Sequence, residues 1–210
     1  MAVYWREFLT IAVVHLLAVA SPGPDFAIVL RQSLRFGRRT ALWTSCGIGC
    51  GLSVHVAYCL LGLGYVLKNS AIALDVIKYA GAAYLAWVGV QALRTPARSG
   101  DVDLAGDGPL PTARQAWLAG FLVNVLNPKA ALFFISLFPL VVGPETPRGM
   151  QAFYGVWMAA STMAWFGLVS LAFTQAAVRR PFLAYGHWID RALGLVFLAL
   201  SLSLALASWR

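Results

Sequence analysis

Residues 20–26 read Ala20-Ser21-Pro22-Gly23-Pro24-Asp25-Phe26, two prolines, a glycine and a carboxylate set inside an apolar run that extends from Phe8 to Leu30. A residue preceding proline is pushed out of the α region, so Ser21 and Gly23 interrupt the helix, while proline suits the first position of a new one. The same device returns at Asn127-Pro128-Lys129-Ala130, within a second apolar run at 116–142. Ser21 and Asn127 are both residue types that cap a restarting helix by accepting from its free amides. Each motif reads as a stop followed by a restart.

The rest of the chain says what kind of helix is being broken. Of 210 residues, 60% are hydrophobic and 11% charged, against roughly 25% charged in soluble domains. A helix crossing a bilayer needs about 20 predominantly apolar residues, and six segments qualify: 8–30, 40–66, 72–93, 116–142, 150–177 and 188–208. The reading is an all-α polytopic membrane protein. Broken backbone at membrane depth is tolerated only where protein or a polar cavity surrounds it. By helical rise, Pro128 lies about 18–21 Å from either end of its segment, and Pro22 about 20 and 12 Å from its own, so both breaks are expected to lie deep.

Sixteen Lys and Arg against eight Asp and Glu give a net charge of +8. No basic stripe with interleaved aromatics accompanies that excess, which excludes a nucleic-acid partner. Basic residues collect instead in cytoplasmic loops. Arg31, Arg35, Arg38, Arg39, Arg94, Arg98, Arg114, Arg179, Arg180 and Arg191 fall on the odd-numbered connections, and only Arg6, Lys68, Lys78, Arg148 and Arg210 on the other side. Both termini are therefore expected outside the cytoplasm. Ala18-Val19-Ala20 fits a signal-peptide cleavage site, but Arg6 and Glu7 cancel and apolar residues resume at Phe26, so the segment is expected to stay as a span.

A Pro/Gly/Asp-rich stretch at 95–115 lacks helical periodicity and reads as a cytoplasmic linker. It separates two three-helix halves, 1–94 and 116–210. Each half opens with a proline-broken helix, and Lys78-Tyr79-Ala80-Gly81-Ala82-Ala83-Tyr84-Leu85-Ala86 aligns with Arg191-Ala192-Leu193-Gly194-Leu195-Val196-Phe197-Leu198-Ala199. Because three crossings are an odd number, two like halves insert with opposite orientation. Paired interrupted segments in an inverted repeat point to a transporter's binding site.

Chemistry at the breaks follows from charge. Asp25 in a first helical turn is favoured by the helix dipole, whereas Lys129 opposes it at about 0.3–1 kcal/mol. An ammonium near the bilayer centre costs a further 2.5–3.5 kcal/mol or so. Lys129 needs an anion, either Asp25 in a structural ion pair or a substrate carboxylate, with Asp25 then taking the substrate's ammonium. A zwitterionic α-amino acid supplies both charges. The substrate-binding set is Ser21, Pro22, Gly23, Pro24, Asp25, Asn124, Asn127, Pro128 and Lys129, with Asn124 one turn before Asn127. Asp25 and His55 are the proton-coupling candidates. His55 and His15 are alternatively satisfied by neighbouring helices, and Ser161 and Thr162 by back-bonding to their own.

Cys46, Cys50 and Cys59 all lie in the second segment, with no disulfide framework and no metal-ligand spacing. They accompany a small-residue face at Gly47 and Gly51 that serves either a homodimer or packing within one chain. No cofactor and no enzymatic residues are expected. No phosphate loop marks a primary pump.

With Ser21-Pro22-Gly23-Pro24-Asp25-Phe26, Asn127-Pro128-Lys129-Ala130 and the stretch His187-Trp188-Ile189-Asp190-Arg191, the chain resembles the LysE/RhtB family of amino-acid exporters over essentially its whole length. Residues 14–26 and Ala164-Trp165-Phe166 bring it nearest to the threonine-exporting branch. The resemblance implies an inner-membrane protein that exports small neutral amino acids such as threonine or homoserine, energised by the proton gradient. A non-transporting membrane scaffold is the alternative. So is a thiol-electron carrier of related fold, which the absence of cysteine from the second half opposes.

Overall fold

The computed structural model describes residues 2–21, 23–63, 71–95, 109–136, 138–143 and 145–206, and every regular element among them is helical. Pro22 and linker residues 96–108 lie outside the described residues. The elements are α1 (Ala2–Ala20), α2 (Pro24–Phe36), α3 (Arg38–Tyr58, prolonged by a π turn at Cys59–Leu63), α4 (Ala71–Leu93), α5 (Ala113–Val125), α6 (Pro128–Ser136), α7 (Phe138–Val141), α8 (Arg148–Phe173) and α9 (Ala176–Leu206).

Among the described residues four stretches are long and apolar enough to cross a membrane: Val3–Ala20, Pro24–Leu61, Arg148–Phe173 and His187–Leu206. Ala113–Val125 with Lys129–Ile135, bent by 52° at the break, makes a fifth. The expected third segment, 72–93, matches α4 in its residues but is not among these stretches. The expected first segment, 8–30, is divided: α1 forms one stretch to Ala20, and α2 runs on with α3 in the stretch Pro24–Leu61. Arg31 and Arg35 end the run but not the helix, because backbone hydrogen bonding continues to Phe36. Gly37 joins α2 to α3 at φ +79°, a conformation that side chains disfavour. At the linker's far end, Thr112 and Gln115 form a reciprocal capping box that starts α5 at Ala113.

The exterior is apolar and the interior carries the polar groups. Leu61 is 85% exposed, Ile72 77% and Val156 69%, whereas His15, Asn124 and Asp190 are buried. Such an inversion suits a lipid surround, in which polar side chains face the bundle interior. It makes the chain a polytopic helical membrane protein.

Glycines set the helix crossings. A Cβ on Gly47 would run into the Trp117 carbonyl, and one on Gly120 into the Thr44 carbonyl, so α3 and α5 touch backbone to backbone. A Cβ on Gly51 would stand 2.9 Å from the Phe121 carbonyl oxygen. The small-residue face at Gly47 and Gly51 is thus spent on packing within the chain. Gly89 and Gly194 bring α4 against α9 in the same way, each Cβ position lying within 2.9 Å of the other's carbonyl oxygen. Ser201 Oγ strengthens that pair by donating to the Ala82 carbonyl at 2.7 Å. Between α3 and α8, Ser45 and Ser170 share a 3.0 Å bond.

Candidate functional site

The two breaks come together. Ser21 ends α1, its amide donating to Leu17 O at 3.0 Å. Gly23, in extended backbone, precedes Pro24 at the start of α2. No side chain caps α2, contrary to the capping expected of Ser21. The N-cap position falls on Gly23, which has no side chain to offer; the Ser21 carbonyl, beyond the end of α1, accepts a 2.7 Å bond from Lys129 Nζ. Ser21 contributes backbone where a side chain was expected. The lysine stem lies along Gly23, where a Cβ would stand 3.4 Å from Lys129 Cδ and 3.6 Å from Nζ.

At the second break Asn127 does cap. Its Oδ1 accepts from the Lys129 amide at 3.0 Å, and its Nδ2 donates to Asp25 Oδ2, also at 3.0 Å. Asn124 Nδ2 donates to the same oxygen at 2.9 Å. One residue of the restart therefore holds the carboxylate of the other break. Asp25 Oδ1 and Asn124 Oδ1 are buried and have no hydrogen-bond donor among the described residues. Lys129 lies within electrostatic reach of Asp25, as expected, and also of Asp190.

Two cavities meet here. One of about 50 Å³ is lined by Asp25, Asn124, His15 and Thr162 among others. A second, of about 250 Å³, is lined by Gln91, Thr95 and Asp190. Ser21, Gly23, Asn127 and Lys129 line both and form the wall between them.

The histidines are tied to neighbouring helices. His15 Nε2 donates to the Met158 carbonyl at 3.2 Å and lies 3.0 Å from Thr162 Oγ1. Thr162 thus faces the smaller cavity, while Ser161 back-bonds to Met158 O at 3.1 Å. His55 Nε2 donates to the Asn124 carbonyl at 3.0 Å, so in the neutral ring Nδ1 must accept. Tyr58 OH lies 3.0 Å from that Nδ1 and 3.2 Å from the Ala131 carbonyl, and one hydroxyl proton serves only one of them. A doubly protonated His55 donates to Tyr58 and frees its proton for Ala131.

Sequence reasoning missed Asp190, Gln91 and Thr95. In the sequence Asp190 stands out only as part of the stretch 187–191, at the start of the expected segment 188–208, and no role follows from it there. The overlooked signal is a helix that begins at Ala176 and carries the carboxylate inside the bundle.

An apolar exterior around buried charges held by two interrupted helices defines an integral membrane protein with an internal polar site. The LysE type translocator model matches residues 16–208, and the chain belongs to that family, one of translocators rather than enzymes. It is 34% identical over 203 residues to the threonine efflux protein of Escherichia coli (strain K12), covering 95% of this chain and 98% of that one. It is likewise 34% identical over 205 residues, with the same coverage, to the threonine efflux protein of Salmonella typhimurium. A homoserine/homoserine lactone efflux protein of Salmonella typhi is 31% identical over 148 residues, 70% of this chain and 69% of that one. No solved structure gives a significant match.

Asn127 provides a first test of this geometry. Asn127→Ala removes a cap and one bond to the carboxylate, a loss of about 1–2 kcal/mol. At roughly 2–4 °C per kcal/mol, the melting midpoint of the purified protein is expected to fall by about 2–8 °C. Asn127→Asp keeps the cap and sets a second carboxylate beside Asp25, so it is expected to spare stability better than transport. Equal melting points for the wild type and Asn127→Ala contradict the bridging role.

Proposed function

We propose that the chain is a secondary carrier of the inner membrane that exports small neutral α-amino acids by proton antiport, with alternating access at the two breaks. The observation that carries this reading is the pair of acceptors without donors, Asp25 Oδ1 and Asn124 Oδ1, on residues of one cavity that Lys129 also lines. An ammonium is donor-only and suits such acceptors, and a carboxylate suits the lysine. A zwitterionic amino acid brings both groups, its carboxylate replacing the Ser21 carbonyl on Lys129. Gly23, Pro24 and Pro128 contribute the backbone that lets the helices approach. The names of the relatives make threonine and homoserine the first cargoes to test.

Alternating access draws support from the way the halves meet. The second and third helices of the first half, α3 and α4, pack on their counterparts α8 and α9. That is the arrangement an inverted repeat of 1–94 and 116–210 would give, with both termini periplasmic.

Export of a neutral zwitterion moves no net charge, so uphill transport needs a coupled ion. Asp25 and His55 are the groups proposed to carry the proton, His55 because protonation completes its bonds with Tyr58 and Ala131. In vesicles loaded with labelled threonine, an imposed pH gradient is expected to drive uphill efflux, and its collapse to abolish accumulation. His55→Gln is expected to keep downhill exchange while losing most of the pH response. Release no faster than from protein-free vesicles overturns the carrier reading and leaves a scaffold; efflux indifferent to the pH gradient overturns the antiport.

A further inference from the structure

We infer that the larger cavity is a receiving subsite for the amino acid, in which Asp190 takes the substrate's ammonium before Asp25 does and Lys129 holds the carboxylate from either side. The inference rests on the carrier reading above and deepens it.

Volume decides where an amino acid fits in this conformation. A water needs about 10–15 Å³ of such space, so the 50 Å³ cavity beside Asp25 holds only about three to five atoms of that size. Threonine has eight non-hydrogen atoms. The 250 Å³ cavity takes it with room to spare. Its chemistry matches too: Asp190 is a carboxylate 1% exposed, on α9. Gln91 and Thr95 on α4 add an amide and a hydroxyl on the same lining. Lys129 is the common wall, coupled electrostatically to Asp190 on one side and Asp25 on the other. A ligand with one positive and one negative end therefore finds a matching pair on each side of the same lysine. The substrate carboxylate keeps its partner on Lys129 while the ammonium changes from one aspartate to the other. The cavity lies at the end of α4 that leads into the linker, the cytoplasmic face under the expected orientation, where cargo for export arrives.

The test is equilibrium binding to the purified full chain of labelled threonine and of 2,3-dihydroxybutyrate, which replaces the ammonium with a hydroxyl. Asp190→Asn is expected to weaken threonine tenfold or more and to leave the analogue within about threefold, and Asp190→Glu to recover most of the loss. Threonine binding within twofold of wild type in Asp190→Asn overturns the subsite and leaves the carrier reading standing; equal weakening of both ligands overturns it as well, since Asp190 is then structural. Where Asp190→Asn does not accumulate, Gln91→Cys in a Cys46→Ser, Cys50→Ser, Cys59→Ser background reads the same cavity. Saturating threonine is expected to slow maleimide labelling at least fivefold, and unprotected labelling overturns the inference. A wild type that neither binds nor exports amino acids removes the carrier reading and the subsite together.

Discussion

Lys129→Met is expected to lower threonine efflux from reconstituted vesicles by about two orders of magnitude while leaving the protein folded. Methionine preserves most of the unbranched stem that lies along Gly23, so packing is nearly conserved. The lost element is the ammonium. In the ground state it donates to the Ser21 carbonyl at 2.7 Å, and in the proposed cycle it meets the substrate carboxylate. Truncating one member of a buried, hydrogen-bonded charge pair costs roughly 2–5 kcal/mol, which at 1.4 kcal/mol per decade is about 30-fold to several thousand-fold. Lys129→Arg is expected to rescue little, because a planar guanidinium needs width that the contact with Gly23 denies it. The measurement is initial efflux rate at matched protein content in the vesicles. A wild-type rate in Lys129→Met dismisses the site built around this lysine.

Gly120→Val is expected to produce the largest loss of stability. A Cβ there collides with the Thr44 carbonyl, and the obstacle is backbone, which cannot swing aside as a flexible side chain can. α3 and α5 must move apart, giving up the close approach that Gly47 makes to Trp117 and Gly51 to Phe121. Overpacking typically costs about 1–3 kcal/mol and occasionally more; a collision with backbone puts this variant at about 3 kcal/mol or above, a fall in melting midpoint of at least roughly 6–12 °C. Transport is expected to fall with it, since Asn124 rides on α5 and holds both Asp25 and His55. Gly37→Ala is the control: its Cβ meets nothing within 4 Å, and only the φ of +79° opposes it, at about 1–3 kcal/mol. Thermal unfolding of the three proteins in one detergent checks the order, and a Gly120→Val midpoint at or above that of Gly37→Ala refutes the crossing.

Much of the site was legible before any coordinates. Proline suits the first turn of a helix, and α2 and α6 begin at Pro24 and Pro128. Asn127 before Pro128 was a cap by residue type, and it caps. Asn124, one turn earlier, was a candidate for the same cavity, and it reaches the same oxygen of Asp25 as Asn127 does. Other features were not legible. Ser21 has the same credentials as Asn127, yet α2 starts two residues later with Gly23 as its N-cap, and it is the Ser21 carbonyl that Lys129, more than one hundred positions away, bonds. The Thr112 and Gln115 pair was readable and was lost only because the linker's composition obscured it. For Gly47 and Gly51, spacing alone cannot say whether a second chain or α5 supplies the partner helix.

Sequence alone settled the properties that depend on the nearest residues and on bulk composition: a membrane-embedded helical chain, two interruptions, and a cation in the first turn of a helix whose dipole opposes it. Local sterics and solvation act over a few bonds, so a linear reading captures them. The folded structure decided which groups separated by long stretches of chain meet: Lys129 with the Ser21 carbonyl, Asn127 with Asp25, and Asp190 with the other side of the same lysine. Those meetings are set by how closely glycines let helices approach, a quantity that depends on both partners at once and is written in neither segment by itself.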